Sequence, residues 1–263
     1  MKTENKYFGI DFVNFIVPIL FVLSWVLLPG VFKTPEYLIP SFKKIIIGFW
    51  DFITGTEGLS TYSGQFMKHS LASWYRVITG FTIAGLTGVS LGVVTGYFAL
   101  MRRLFDPFIN MIRMIPGIGW FPIAMVWFGV GDKTTIFLIS LAAFFPAYIN
   151  TVRAVMDVPK ILIDAGRVLG ANRIAVFRKV ILPASLPGIF AGLRLSMGVC
   201  WAYLVLGELT GVSEGLGAVM MDSRMLGSVD MIIICMLAIS IWGRISDLIL
   251  LAIYKKLRPS EFH

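Results

Sequence analysis

The sequence predicts an all-α integral membrane protein with about six transmembrane helices, and three observations carry that expectation. Of 263 residues, 57% are hydrophobic and only 14% are charged, against about 25% charged in a typical soluble domain. The apolar residues gather into runs close to the ~20 residues that cross a hydrocarbon core. The net charge of +8 lies between those runs and not in one basic patch. That placement fits orientation in a lipid membrane and argues against a nucleic-acid partner.

The first apolar run, 12–32, exceeds the roughly 7–15 residues of a signal-peptide core, and no small-x-small cleavage site follows it. It is expected to stay as a span. Residues 33–69 do not read as one, because Pro35, Pro40, Lys43, Lys44, Asp51 and Glu57 interrupt them. Within them, SFKKIIIGFWDFI has the pattern of an amphipathic helix lying in the interface, with Trp50 as anchor and two lysines at the headgroups. Five further spans are expected at 77–100, 108–130, 134–154, 185–212 and 230–253. The expected division is therefore 1–65, an N-terminal transmembrane helix plus an extracytoplasmic amphipathic segment; 66–255, the main transmembrane domain; and 256–263, a cytoplasmic tail.

Basic residues set the expected orientation. Lys2, Lys6, Arg102, Arg103, the stretch Arg153 to Lys179, and Lys255, Lys256 and Arg258 fall in one set of loops. The alternate loops mix their lysines with Glu36, Asp51, Glu57, Asp132, Glu214, Asp222 and Asp230. The richer set should face the cytoplasm, which places both termini inside.

In the second span Gly80, Ala84, Gly88, Gly92 and Gly96 recur every fourth residue. They form a ridge along one face on which another helix backbone can approach closely. Gly188 and Gly192 repeat the spacing more weakly in the fifth span.

Reactive motifs are missing. No GxxxxGK[ST], HExxH or GxSxG occurs, and the glycine spacing of GDKTT at 131–135 is wrong for a phosphate loop. Cys200 and Cys235 lack CxxC spacing and read as small buried hydrophobes; His69 and His263 have no ligand-type neighbours, so no metal site is expected. The ionisable residues placed within spans are Arg113, Arg194, Glu208, Arg244 and Asp247, and such charges mark functional positions by default. Each also has a plainer reading. Arg113 can anchor at the headgroups of the inner surface, Arg194 can snorkel to the headgroups, Arg244 and Asp247 can pair locally, and Glu208 can reach water at the outer end of its span. Arg194, Trp201 and Glu208 share a face, but Arg194 and Glu208 stand roughly 21 Å apart along a helix and cannot pair with each other.

One basic stretch interrupts the apolar chain: DAGRVLGANRIAVFRKVILP, residues 164–183. Pro159 suits the start of a short helix reaching Leu169, and Gly170 supplies the positive-φ residue that ends it. Asn172 is placed to cap a second helix with Ile174, Phe177 and Ile181 on one side. Pro183 is expected to stop that helix and open the next span. A loop that only fixes topology needs a few lysines in any arrangement, whereas a preformed helix-turn-helix is suited to dock a soluble partner.

This stretch resembles the EAA signature of permease subunits of binding-protein-dependent ABC importers of the type I fold. Asp164, Ala165 and Gly166 stand at the E-A-A positions, Gly170 at the glycine, and Val180, Leu182 and Pro183 at I-x-L-P. Asp for Glu, Gly for the second Ala and Val for Ile are the departures. RMIPGIGWFPIAMVWFGVGDKTTIF, residues 113–137, is similar to the third-span region of the sulfonate, taurine, nitrate and bicarbonate permeases, matching at Arg113, Pro116, Trp120, Pro122, Trp127, Phe128, Gly129 and Gly131. Met114 and Gly117 stand where that family usually has proline. GLRLSMGVCWAYLVLGEL and SEGLG, within 192–217, are also similar to it.

The resemblance implies a type I ABC importer transmembrane domain over 66–255. It implies a non-catalytic permease subunit in a bacterial inner membrane that pairs with a second copy of itself. Two ATPase subunits would bind ATP and magnesium on its behalf, since the chain needs no cofactor of its own, and an extracytoplasmic solute-binding protein would deliver a small anion. The coupling segment would be 157–183, with Asp164, Ala165, Gly166, Arg167, Gly170, Ala171, Phe177, Leu182 and Pro183 meeting the ATPase. For the substrate path, Arg113, Trp120, Trp127, Trp201 and Glu208 are the candidates, because Pro116, Gly117, Gly119 and Pro122 break the third span, and irregular backbone at membrane depth is tolerated beside a cavity. A small heterocyclic nutrient as cargo, or a self-sufficient secondary carrier, are the alternatives.

Overall fold

The computed structural model describes residues 16–17, 20, 23–26, 38–209 and 211–257. The expected first span, most of it and both of its ends, and the tail from 258 lie outside the described residues. Their regular structure is helical, with no strand among the described residues. The helices are α1 (Phe42–Thr54), α2 (Phe66–Tyr97), α3 (Ala99–Arg113), α4 (Phe121–Phe128), α5 (Asp132–Met156), α6 (Lys160–Val168), α7 (Arg173–Val176), α8 (Leu182–Glu208), α9 (Leu216–Met225) and α10 (Val229–Leu257). They belong to two compact units, one of residues up to Phe66 with Asp222–Ile234, the other of Met67–Met221 with Cys235 onward.

In the first unit, Ser41 caps α1 by accepting the Lys44 N–H on its hydroxyl, and Gly55 ends the helix at φ 70°. Ile45 and Phe52 turn inward while Trp50 stays 61% exposed. Lys44, one of the two lysines expected at the headgroups, instead reaches Asp230 at 3.4 Å. Asp51 is buried and organises the following loop. Its carboxylate accepts N–H groups from Glu57 (2.8 Å), Gly58 (3.0 Å) and Leu59 (3.0 Å), and the Ser63 hydroxyl.

The second unit contains the long apolar helices. α2, α5, the continuous helical run Arg173–Glu208 and α10 are each long and apolar enough to cross a membrane. The third span expected over 108–130, with Pro116, Gly117, Gly119 and Pro122 interrupting it, is sharply broken there: α3 and the Gly117–Phe128 segment meet at 88°. Pro116 lacks a donor and biases Ile115 away from helical geometry, so the chain turns there into a 3₁₀ turn, Gly117–Trp120, before α4.

The small residues of α2 lie against α5. A β-carbon on Gly88 would sit 2.9 Å from the Ala147 Cβ, one on Gly92 2.7 Å from the Thr151 Cβ, and one on Gly96 2.8 Å from the Val155 Cβ. Gly188 and Gly192 of α8 approach Ala154 and Asn150 of the same helix. α5 is thus the central post, with glycine-lined helices on two sides. Val77, Ala84, Ile139, Ala143, Met197, Trp201 and Leu204 form the core around it.

Candidate functional site

Three constellations occupy the second unit, and they divide the sequence-predicted residues among them.

The first is the projecting segment. Pro159 precedes α6, and Gly170 takes φ 79°, so the N–H groups of Ala171 and of Gly170 itself return to Gly166 O (3.1 Å) and Arg167 O (2.9 Å). That is the paired bonding of a Schellman turn, which only glycine enters without a Cβ penalty. Asn172 caps α7 by accepting the Ala175 N–H at 2.8 Å. Asp164 and Arg167 are exposed and pair at 3.3 Å.

The expected single apolar side at Ile174, Phe177 and Ile181 is divided. Phe177 packs edge-on to Tyr97 at 4.9 Å and Ile181 is buried, while Ile174 points outward. Ile161, Leu162, Val168 and Leu169 are exposed as well, Val168 and Leu169 each at 87%. Pro183 does not stop the helix. A π turn over Phe177–Ile181 shifts the bonding so that the Leu182 N–H reaches Phe177 O, and the helix continues into α8. Such a shift skips the bond that proline cannot make. Leu182 and Pro183 therefore connect the segment rigidly to a membrane-length helix.

The second constellation is a buried polar network that sequence reasoning missed. Arg76 is 4% exposed and Glu208 1%. Arg76 Nη1 donates to Glu208 Oε1 and to Glu214 O (2.7 Å), while its Nε and Nη2 donate to Asp132 Oδ1 at 2.8 and 2.7 Å. Glu208 also accepts the Ser73 hydroxyl (2.8 Å) and the Gly217 N–H (2.8 Å). Ser73 Oγ accepts from Leu216 N (2.9 Å), and His69 Nδ1 accepts from Gly215 N (3.1 Å). Gly215, at φ 140°, lies against the Glu208 carboxylate where a β-carbon would collide with it.

One face of α2, the end of α8, the start of α5 and the 214–217 turn are thus tied by charge-assisted bonds. Glu208 does not open to water, contrary to the plainer expectation for it. Arg76 escaped notice because the expected span began at 77, one residue too late. The signal was present: His69, Ser73 and Arg76 continue the stripe of Gly80, Ala84 and Gly88 at three- and four-residue spacing. Trp201 lies in this neighbourhood too. It is buried, donates its indole N–H to Ser246 at 3.0 Å, and packs edge-on to Trp74 at 5.5 Å.

Arg194 has a partner on another helix. It makes a two-pronged pair with Asp247, 2.6 and 2.9 Å, joining α8 to α10, and Arg244 adds the expected local contact at 3.2 Å. Neither Arg194 nor Glu208 bonds the other; each finds its partner on a different helix.

The third constellation is a cavity of about 290 Å³ at the α3–α4 break, bordered by α5 and α8. Arg113, Trp120 and Tyr203 supply its polar groups, and Leu138, Phe145 and Val199 are among its apolar walls. The Tyr203 phenol lies directly over Gly117, where a β-carbon would overlap it. Trp127 stands apart, 60% exposed and edge-on to Phe128 and Phe137. The predicted path residues therefore separate: Arg113 and Trp120 share the cavity, Glu208 and Trp201 belong to buried contacts, and Trp127 lies on the surface. No group of His, Cys, Asp and Glu among the described residues is arranged to hold a metal.

A bundle of membrane-length helices, a broken helix beside a cavity and a rigid exposed helix-turn-helix together define the membrane subunit of a transporter. Comparison with known proteins gives the family. Residues 84–261 match the model for the binding-protein-dependent transport system inner membrane component, and the chain belongs to that family as a non-catalytic ABC permease of the type I class. It is 31% identical over 242 residues to the putative aliphatic sulfonates transport permease protein SsuC of Bacillus subtilis, covering 92% of this chain and 85% of that one. It is 32% identical over 207 residues to the taurine transport system permease protein TauC of Escherichia coli, covering 79% and 74%. The fold is shared with a chain of the inward-facing MetNI methionine ABC transporter, at a TM-score of 0.61 and 20% identity over 74% of this chain and 99% of that one.

Proposed function

We propose that two copies of this chain form the translocation path of an ATP-driven importer for a small anion. ATPase chains, which supply the ATP and magnesium sites, grip the 157–183 segment from the cytoplasm. A solute-binding protein delivers cargo at the opposite face, and both termini lie inside. The observation that carries the reading is the exposure of five large apolar residues, Ile161, Leu162, Val168, Leu169 and Ile174, on a helix-turn-helix that runs without a break into α8. Apolar side chains exposed on so basic a segment call for a protein partner. Its rigid continuation means that movement of the partner must move the span. Alternating access requires such a two-state element biased by ligand.

The substrate path is assigned to the side of the α3–α4 break, with Arg113 and Trp120 lining it and Trp127 at its margin. Trp201 and Glu208 position the helices around it. Relatives named for aliphatic sulfonates and taurine support an anion as cargo. The test is uptake into vesicles of a labelled sulfonate by the chain alone and by the chain with its ATPase and binding protein. Transport should require all components and hydrolysable ATP. Accumulation by the chain alone would identify a secondary carrier instead.

A further inference from the structure

We infer that the cleft where the projecting segment meets the ends of α2 and α5 is a seat for an anionic phospholipid. Arg102, Arg167 and Arg173 hold its phosphate, and an acyl chain lies along Val93, Val94 and Phe98. The inference goes beyond the importer reading above and rests on it only for the leaflet in which the lipid sits.

Two adjoining cavities of the second unit lead there. The first, about 600 Å³, opens where α2 ends and α3 begins, beside the end of α5 and the segment 163–181. Its charged lining groups are Arg102 of α3, half-buried, and Arg167 of α6 and Arg173 of α7, both exposed. No carboxylate lines it, and Asp164, which pairs with Arg167 at 3.3 Å, is not among its walls. Three guanidiniums from three helices that converge without an acid are complementary to an oxyanion, and phosphate takes paired N–H groups from arginine.

The second cavity, about 440 Å³, shares Tyr97, Phe98 and Arg173 with the first. Arg173 apart, its walls are apolar and aromatic. Val93 and Val94 lie about one turn from the end of α2, a helix of membrane length, so this groove stands where hydrocarbon gives way to headgroups. A ligand that fills both cavities carries a phosphate beside an apolar chain, which is the chemistry of a phospholipid. Free phosphate leaves the groove empty.

Charge also selects the headgroup. With no carboxylate in the lining, the ammonium of phosphatidylethanolamine finds no partner, whereas phosphatidylglycerol brings the phosphate alone. Arg102 and the 153–179 stretch fall in the loops that orientation by charge assigns to the cytoplasm, where anionic lipids draw basic residues. One bound phosphate would tie α3, α6 and α7 together and steady the projecting segment against the spans.

The test is titration of the full chain, purified in neutral detergent, with phosphatidylglycerol. Bound lipid is counted by native mass spectrometry, and the melting temperature is followed in parallel. One saturable phosphatidylglycerol per chain is expected, with phosphatidylethanolamine at least about tenfold weaker. The double variant Arg102→Gln/Arg173→Gln should weaken binding at least about tenfold, or about 1.4 kcal/mol, and each single variant by a smaller factor. Should the double variant not fold, the single variants carry the same comparison. Arg103→Gln, next to Arg102 but absent from the lining, should bind as the parent does. Arg167 is left unchanged because it also belongs to the face proposed for the ATPase. Glycerophosphoglycerol, the headgroup without its chains, should compete at least about tenfold less well than the lipid. Phosphatidylglycerol should raise the melting temperature of the parent and not that of the double variant.

The inference is overturned by no saturable binding, by phosphatidylethanolamine binding equally well, or by Arg103→Gln weakening binding as much as the double variant. Equal competition by glycerophosphoglycerol overturns it too, because the site would then take a soluble phosphate. So does a double variant that binds phosphatidylglycerol like the parent but no longer co-purifies with the ATPase, since the arginines would then serve an acidic protein partner. Transport by the assembled importer is scored separately. The lipid seat can thus fail while the importer reading stands, or the importer reading can fail by itself.

Discussion

At the scale of single residues, the chain places its buried charges only where partners converge. Glu208 has a cation, a hydroxyl and a backbone N–H within bonding distance, so its burial is compensated on every side. Removing one member of such a set leaves the others buried and uncompensated, at about 3–5 kcal/mol. Arg76→Met should therefore lower the melting temperature in detergent sharply, and Glu208→Gln should do so less because the amide keeps an acceptor. Equal, small shifts for both would show the network to be slack.

Gly166 makes the opposite case. The family signature has alanine there, and a β-carbon would stand 3.4 Å from Val180 and 3.6 Å from Val176, ordinary contact distances. Gly166→Ala should raise stability by up to about 1 kcal/mol through helix propensity alone, read by the same melting experiment. Asp51 responds to pH. The Ser63 hydroxyl, then N–H groups from the following loop, hold its carboxyl below the usual carboxylate range against the opposing effect of burial. A depressed folded value gives stability that is complete above the ordinary carboxylate range and is lost as pH falls through the lowered one. Loosening of the 55–64 loop, followed by amide exchange, should begin only below about pH 4, and Asp51→Asn should abolish that dependence.

At the scale of elements, what the sequence revealed and what it hid have the same physical origin. Helix ends governed by local chemistry were legible: Pro159, Gly170 and Asn172 stand where the structure starts, stops and caps α6 and α7. Local rules do not describe compensation at a distance. Pro183 has a strong local tendency to end a helix, but a π turn five residues long absorbs the missing bond and the helix runs on. Likewise the prolines and glycines of 116–122 marked a break in the apolar run 108–130 but not its 88° angle, because hydropathy counts side chains and is blind to backbone direction. The charge partners Arg76, Asp132 and Asp247 come from helices far apart in sequence, so no window of one helix could pair them.

The glycine ridge was legible because its period lies within a single helix. The contact it makes is tight: a larger side chain at Gly92 would meet both the Thr151 side chain and, at 2.9 Å, the Tyr148 carbonyl. Backbone cannot step aside cheaply, so Gly92→Leu should separate α2 from α5. Its melting temperature in detergent should fall sharply, while Gly198→Ala in α8, where nothing lies within 4 Å of the added carbon, should leave it unchanged. Gly170→Val acts elsewhere. It strains the turn at φ 79° while leaving the spans intact, so membrane insertion should persist while co-purification with the ATPase falls.

At the scale of the whole molecule, the bend decides which side of the membrane each loop occupies. Orientation by charge puts Arg102 and Arg103 on the same side as the 153–179 stretch and puts Lys133 opposite. α2 ends at Tyr97 and α5 begins at Asp132, so this holds only if residues 99–128 cross once. Neither piece is long enough by itself: the 15 residues of α3 extend about 22 Å at 1.5 Å each, short of a hydrocarbon core of ~30 Å. A crossing made of two pieces at 88° must turn at membrane depth, where its exposed carbonyls and N–H groups survive only against protein or a wet cavity. The cavity with Arg113, Trp120 and Tyr203 borders that turn. The broken crossing and the cavity therefore require each other. Single cysteines at Arg102, Lys133 and Lys160 test this with an impermeant thiol reagent added to sealed vesicles of known sidedness, in a background with Cys200 and Cys235 replaced. Position 133 should label from the extracytoplasmic face, and 102 and 160 only from the other. Labelling of 102 and 133 from one face would make the segment a re-entrant loop. The coupling segment would then face away from the cytoplasm if both ends of α2 keep their assigned sides, and no ATPase could reach it.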